Sequence, residues 1–386
     1  MGVDEIYKKF VFPRPETINF PECKNKHHIN IKTKSEINRL EAESHLSIGR
    51  SISLLKSGNI LVGIDRINRE ELSISSSLEI YTIPELNLVQ TYNFKERQSP
   101  LYYLSNTIQG KNGNIYAIYD KLYEFQDESI NNGPKRNSNE FRDDFHLFIQ
   151  SISFPDPENP RKKITKSAAR YQCNWIMEAN EGKLLFTFGK GSSIYLLDSI
   201  NLEEESQTIY KGEGDLDLIF ESKFNPNLLF ICENHEAFNQ KTAKLIAFDL
   251  KEFCNITKRK EPLFTIIVSK SQNVYGYCEY NQKYILLDTV LKGIYIIDME
   301  SKVKVAVCAL KREKVPLNYQ GYGMMYKLDD GQVVRNFEYS TVVDIRECKE
   351  SEGESYSDPT GRKIFCGKYM ASLFYSSYLK VVEFYE

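Results

Sequence analysis

The sequence predicts an all-β chain built from repeated four-stranded units, and three observations carry that prediction. The first is a recurring pattern: a tight polar turn, an apolar strand, a short polar gap, and a second strand often ending in Asp. It reads Ser57-Gly58-Asn59 then Ile60-Leu61-Val62, with Leu78-Glu79-Ile80-Tyr81 after it. It reads again as Glu181-Gly182-Lys183, Leu184-Leu185-Phe186 and Ile194-Tyr195-Leu196-Leu197-Asp198. The second observation is composition. With 25 Tyr and 22 Phe but one Trp, Trp175, the chain is rich in residues suited to half-buried sheet surfaces. The third is the near absence of helical periodicity. Parallel α/β folds need long crossover helices, so that class is set aside. The best helical stretch is Ser35 to Glu43, short and charged behind a Ser cap.

The elements follow in order. Residues 1–27 read as an extension, since Phe12-Pro13-Arg14-Pro15 disfavours helix around both prolines. His28 to Lys32 alternates apolar and polar residues, a strand signal. The first unit has strands at Ile52 to Leu55, Ile60 to Ile64, Leu78 to Ile83 and Val89 to Phe94. The second has Leu101 to Leu104, Ile115 to Tyr119, Lys121 to Phe125 and His146 to Ile149. The third runs from Cys173 through Leu184 to Phe188 and Ile194 to Asp198, ending near Tyr210. The fourth has Leu216 to Phe220, Leu228 to Cys232, Leu245 to Asp249 and Leu263 to Val268. The fifth has Val274 to Cys278, Tyr284 to Asp288, Ile294 to Asp298 and Val303 to Val307. The sixth has Tyr322 to Tyr326, Val333 to Phe337 and Val342 to Arg346, with no outer strand expected in the acidic stretch from Lys349 to Pro359. The last has Lys363 to Cys366, Met370 to Phe374 and Leu379 to Phe384.

Units spaced by about 50 residues match the blades of a β-propeller. The count is seven four-stranded blades, with six as the alternative, in a single domain over 28–386. The seventh unit lacks an outer strand, and the strand near Ile29 lacks a neighbour. A propeller must join its ends or expose sheet edges, so the N-terminal strand is expected to complete the last blade.

The units resemble degenerate WD40-type repeats. Glu181-Gly182, Asn225-Pro226-Asn227 and Asp330-Gly331 stand at the family's Pro-Asp-Gly turn. Leu197-Asp198, Phe248-Asp249 and Ile297-Asp298 stand at its Trp-Asp position, with no Trp-Asp dipeptide and no Gly-His pair in any unit. Apolar residues can fill the Trp position, while Asp ends the strand on local backbone. The resemblance implies a scaffold for protein–protein interaction, a monomeric propeller within a larger complex.

Charge and motifs narrow the function classes. A formal net charge of -3 gives no global pull toward nucleic acid or anionic lipid. The eight Cys form no Cys-x-x-Cys pair and read as free thiols of a reducing compartment, cytoplasmic or nuclear. The N-terminus carries no secretion signal and no window is long enough to span a membrane. Cys23 with His27-His28 is half a zinc site without a second ligand pair, so no metal and no cofactor is expected. No nucleophile elbow or phosphate loop occurs, and Gly189 to Ser193 leads into a strand, as a hairpin turn does.

Three carboxylates are the site candidates. Glu178, Glu221 and Glu279 fall near the ends of three first strands, with Lys56 and Lys327 at comparable places. Turned toward a propeller's axis, they would serve a hydrolase or lyase as acid and base; turned outward, they form a solvated rim. Basic clusters at Arg161 to Lys163, Lys258 to Lys260 and Lys311 to Lys314 define a third reading, a phosphoinositide or nucleic-acid reader. The Phe/Leu-Arg-Arg-Gly signature of lipid-binding propellers is absent. Three insertions stand out as long polar connections: Asp127 to Asp144, Glu233 to Lys244 and Glu347 to Arg362.

Overall fold

A computed structural model describes residues 30–38, 45–68, 73–93, 102–121, 146–152, 161–166, 173–179, 182–188, 192–198, 206–237, 240–270, 273–289, 293–308, 324–329, 331–336, 340–345, 349–350, 362–373 and 378–385. Among these, the strands form seven antiparallel sheets of four strands each. Strand β1 (Asn30–Asn38) comes first. Sheet I is β2 (His45–Leu54), β3 (Ile60–Asn68), β4 (Ser73–Tyr81) and β5 (Leu88–Asn93). Sheet II is β6 (Tyr102–Gln109), β7 (Ile115–Lys121), β8 (His146–Ile152) and β9 (Arg161–Lys166). Sheet III is β10 (Cys173–Glu178), β11 (Lys183–Phe188), β12 (Ser193–Asp198) and β13 (Gln207–Lys211).

Sheet IV is β14 (Asp215–Glu221), β15 (Leu228–Ala237), β16 (Gln240–Asp249) and β17 (Phe264–Ser269), with helix α1 (Leu250–Cys254) before its last strand. Sheet V is β18 (Gly276–Glu279), β19 (Tyr284–Asp288), β20 (Ile294–Asp298) and β21 (Val303–Cys308). Sheet VI is β22 (Met324–Lys327), β23 (Val333–Asn336), β24 (Ser340–Asp344) and β25 (Lys349–Glu350). Sheet VII is β26 (Arg362–Cys366), β27 (Tyr369–Leu373) and β28 (Tyr378–Tyr385), with β1 as its fourth strand beside β28. The N-terminal strand thus completes the last sheet, as the unpaired repeat requires.

The chain divides into two compact units. Residues 32–211 and 360–384 form one, and residues 212–359 with 1–31 and 385–386 form the other. Within each unit the second strands are buried on both faces, so they read as continuous apolar runs. In β19, Leu286 packs toward sheet VI with Met325 and Val333, while Ile285 and Leu287 pack toward sheet IV with Phe220 and Phe230. In β3, Leu61 packs with Leu104 and Ile115 of sheet II, while Ile60 and Val62 pack with Ala371 and Val381 of sheet VII. The period of two that sends alternate side chains to opposite faces therefore supplies two cores from one strand.

The recurring turn has a fixed geometry. Gly58, Gly113 and Gly331 donate N–H to Leu55, Gly110 and Leu328, and each glycine has φ between 84° and 89°. That left-handed conformation is costly for residues with a Cβ, which is why Gly recurs there.

Five expectations need correction. Ser35 to Asn38 belong to β1 rather than to a helix. The second unit's third strand is β8, not Lys121 to Phe125, of which only Lys121 is described, at the end of β7. Its outer strand is β9, which holds Arg161 to Lys163, and not His146 to Ile149. Sheet VI has an outer strand, the two-residue β25. Glu233 to Lys244 is not a loop insertion but the continuation of β15 and β16, paired as far as Ala237 and Gln240. Helix α1 was not anticipated; Asp249 caps it by accepting the Glu252 N–H at 2.9 Å, the Asp-x-x-Glu pattern of a helix start. Residues 1–27, Asp127 to Asp144 and Lys311 to Lys314 lie outside the described residues.

Candidate functional site

The pairing registers align the site candidates. Leu54, Gln109, Glu178, Glu221, Glu279, Lys327 and Cys366 are each the last residue of the first strand in sheets I to VII. Each faces the start of the second strand, for example Glu178 opposite Leu184, Glu221 opposite Leu229 and Glu279 opposite Ile285. Lys327, opposite Val333, shares this position. Lys56 lies two residues beyond it, in the turn, and Leu54 holds the place in sheet I.

What these side chains do is repeated as well. Gln109 Oε1 accepts the Lys56 N–H of sheet I at 2.8 Å. Glu178 Oε2 accepts the Lys111 N–H and, at 3.3 Å, the Asn112 N–H of sheet II. Its Oε1 accepts the Tyr116 hydroxyl at 3.2 Å. Glu279 Oε2 accepts the Lys223 N–H of sheet IV at 2.6 Å. In all three cases the strand-end side chain reaches the turn of the preceding sheet and bonds the residue two past that sheet's own strand end. Glu178 and Glu279 are buried, and their carboxylates are satisfied by backbone donors, which form short, strong bonds to a charged acceptor. Glu221 is half-buried.

Other buried charges are similarly committed. Asp65 on β3 takes Arg50 Nε at 3.0 Å, Ser76 Oγ at 2.6 Å and the Leu104 N–H of sheet II at 3.0 Å. Burial pushes its carboxyl up, against the opposing pull of Arg50. Glu79 takes Arg66 at 3.1 Å and the Tyr81 hydroxyl at 2.6 Å. Asp288 of sheet V accepts two hydrogen bonds from one edge of the Arg335 guanidinium of sheet VI, from Nε and, at 2.7 Å, from Nη2, and both residues are fully buried. Glu383 on β28 meets Lys32 and Lys34 of β1 at 3.3 and 3.4 Å and Lys368 at 2.7 Å. The Lys368 hydrogen bond is the main cause holding its carboxyl down at about 2. Asp298 accepts the Glu300 and Ser301 N–H groups, the local strand-ending role that its place in the repeat implies. Cys278 is buried, and burial pushes its thiol up to about 11, away from a nucleophile's range. In the Lys258 to Lys260 cluster, Lys258 pairs with Glu252, and Lys260 donates to the Asn255 carbonyl and lies over the Phe253 ring.

A mixed cluster that periodicity does not reveal forms at the other end of sheet IV. One ligand atom from each of Glu213, Glu233 and His235 lies within 4.8 Å of the others. Glu233 is buried, His235 half-buried and Glu213 exposed. Lys244 Nζ lies 3.0 Å from Glu213 Oε2. The Lys244 hydrogen bond is the main cause lowering the Glu213 carboxyl below its ordinary range.

No family model and no curated protein sequence matches the chain. Solved structures do. The virginiamycin B lyase of Staphylococcus aureus superposes with a TM-score of 0.53 at 10% identity, over 92% of this chain and 99% of that one. A catalytically inactive variant of that lyase with quinupristin gives 0.52 at 9% identity, over 92% and 99%. The WD40 β-propeller domain of Doa1 gives 0.52 at 7% identity, over 92% and 97%. The fold is a β-propeller. At these identities the likeness speaks for the propeller alone, since an enzyme and a WD40 domain match equally well. Among the described residues of this propeller, no helix is long and apolar enough to cross a membrane.

Proposed function

We propose that this propeller is a non-catalytic scaffold for protein–protein interaction, with residues 28–386 working as one domain and 1–27 as an extension. The observation that carries the reading is a contrast between inner and outer strands. The inner-strand carboxylates Glu178 and Glu279 bond backbone of the neighbouring sheet. The outer strands instead present apolar side chains to solvent. Ile267 of β17 and Leu263, the residue just before that strand, are 52% and 54% exposed, Ile267 on the same face as exposed Thr265, while Ile266 and Val268 point inward. Leu88 and Val89 of β5 and Val303 of β21 are exposed as well. Apolar side chains on sheet edges are what a partner chain covers. The five free cysteines among the described residues fit a reducing, cytoplasmic or nuclear setting.

The test is affinity purification with wild type and with the Leu263→Asp/Ile267→Asp double variant. The expected result is a stable protein partner retained by wild type and lost by the variant, with both melting alike. Turnover of a defined substrate without any stable partner would overturn the reading in favour of a propeller enzyme.

A further inference from the structure

We propose that Glu213, Glu233 and His235 form a binding site for one divalent transition-metal ion, with Lys244 as its built-in competitor. Glu233 and His235 stand two apart on β15, so they share a face of the strand. Their strand is anchored from its other face, where Asn234 exchanges two hydrogen bonds with the Val274 backbone at 2.8 and 2.9 Å.

The third ligand is delivered by the segment Gly212-Glu213-Gly214. A Cβ on Gly214 would lie 2.4 Å from the Asn234 carbonyl oxygen, and one on Gly212 would lie 2.9 Å from Leu216 and 3.1 Å from Glu233 Oε2. At Gly214 the neighbour is β15 backbone, so only a residue without a side chain lies this close to the strand. That approach lets the Glu213 N–H donate to Glu233 Oε1 at 3.0 Å, fixing the buried carboxylate beside the imidazole. A ligand whose orientation is held by a second group is the usual arrangement in metal sites.

One imidazole nitrogen with two carboxylate oxygens suits zinc, cobalt or manganese better than calcium, which favours oxygen alone. Metal–ligand distances of about 2.0–2.2 Å place donors about 3.3 Å apart. His235 Nε2 and Glu213 Oε2 are 4.0 Å apart and no two ligand atoms are more than 4.8 Å apart, so that pair closes by less than an ångström and the others by at most about 1.5 Å. The Glu213 side chain is 75% exposed and free to make that movement. Three protein ligands leave a position for water or an added group. Lys244 already places a positive charge on Glu213; a doubly charged ion at closer range outcompetes it. The site stands at the base of the two-stranded ribbon that β15 and β16 extend past Asn234 and Ala243, the last residues paired to β14 and β17. A bound ion would pin that ribbon to the inner strand of its sheet.

Chelator-treated full-length protein titrated calorimetrically with zinc chloride tests the site, with cobalt(II) absorption reporting the donor set. One ion per chain is expected, with cobalt bands of nitrogen and oxygen ligation and no thiolate charge-transfer band. His235→Ala and Glu233→Gln should each weaken binding at least about 10-fold, and Lys244→Met should tighten it several-fold. His235 is half-buried, so its variant decides the matter even where Glu233→Gln fails to fold. No binding by either wild type or Lys244→Met overturns the proposal, leaving Glu213 and Lys244 as a plain ion pair. Binding that His235→Ala leaves unchanged, or a thiolate band, overturns it equally.

Discussion

At the turn end of the sheets, Glu178 and Glu279 are buried and their oxygens hold backbone N–H groups of the preceding sheet. At the opposite end of sheet IV, Glu213 is exposed and faces Lys244 and His235, with buried Glu233 behind it. The same side-chain type serves two purposes, and its surroundings decide which. A buried carboxylate must find donors, and unsatisfied turn amides are the nearest supply. Near solvent, Glu213 pairs instead with a side chain, Lys244 at 3.0 Å, a contact that the proposed ion would replace. The turn-end contact also explains why Gln109 stands in for Glu: an amide oxygen accepts one N–H without needing a counter-charge.

The largest test of the buried half is Asp288→Ala. It removes the carboxylate that pairs with the fully buried Arg335 guanidinium, a loss of about 3–5 kcal/mol by denaturant unfolding. The double variant Asp288→Leu/Arg335→Met should recover most of that loss, because paired buried charges and apolar residues of similar size differ little. Recovery of none of it would mean that the pair does more than satisfy itself.

Glu178→Ala removes an acceptor for two backbone N–H groups and a hydroxyl, and should cost about 1–3 kcal/mol. Glu221→Ala, at the half-buried equivalent, should cost less. Equal losses would mean that burial at this position does not set the cost. Gly113→Ala, at φ 89°, should cost about 1 kcal/mol.

The smallest effect is one of pH. Glu383 is held at about 2 against an ordinary 4.5, so the fold favours its ionised form. Its contribution is whole above about 4.5 and is lost as pH falls from there through about 2. Wild type should therefore lose melting temperature over that range more steeply than Glu383→Gln, which should be the less stable of the two at neutral pH. Parallel curves would remove Glu383 from the attachment of β1.

Much of the fold was legible in the sequence because second strands are buried on both faces, and runs such as Leu184 to Phe186 or Ile285 to Leu287 leave little choice. Outer strands were harder. Four of the six residues from Arg161 to Lys166 are basic and show no apolar alternation, and Lys349–Glu350 is too short to show a period. The strand near Ile29 could be assigned to the last sheet only by counting unpaired elements, because its partner β28 lies about 350 residues away. The alignment placed Glu178, Glu221 and Glu279 at one structural position but not their partners, since a backbone N–H carries no residue identity. The Glu213 cluster was invisible for a related reason: Glu213 meets Glu233 and His235 only when the chain at Gly214 folds back against the β15 backbone.

Amide hydrogen exchange at Lys111 and Lys223 addresses the turn-end claim most directly, since these are the N–H groups that Glu178 and Glu279 hold. Both amides should be protected in wild type although they sit in turns. Glu178→Ala should release Lys111 alone, and Glu279→Ala should release Lys223 alone. Rapid exchange of both amides in wild type, or protection that survives loss of the carboxylate, would contradict it.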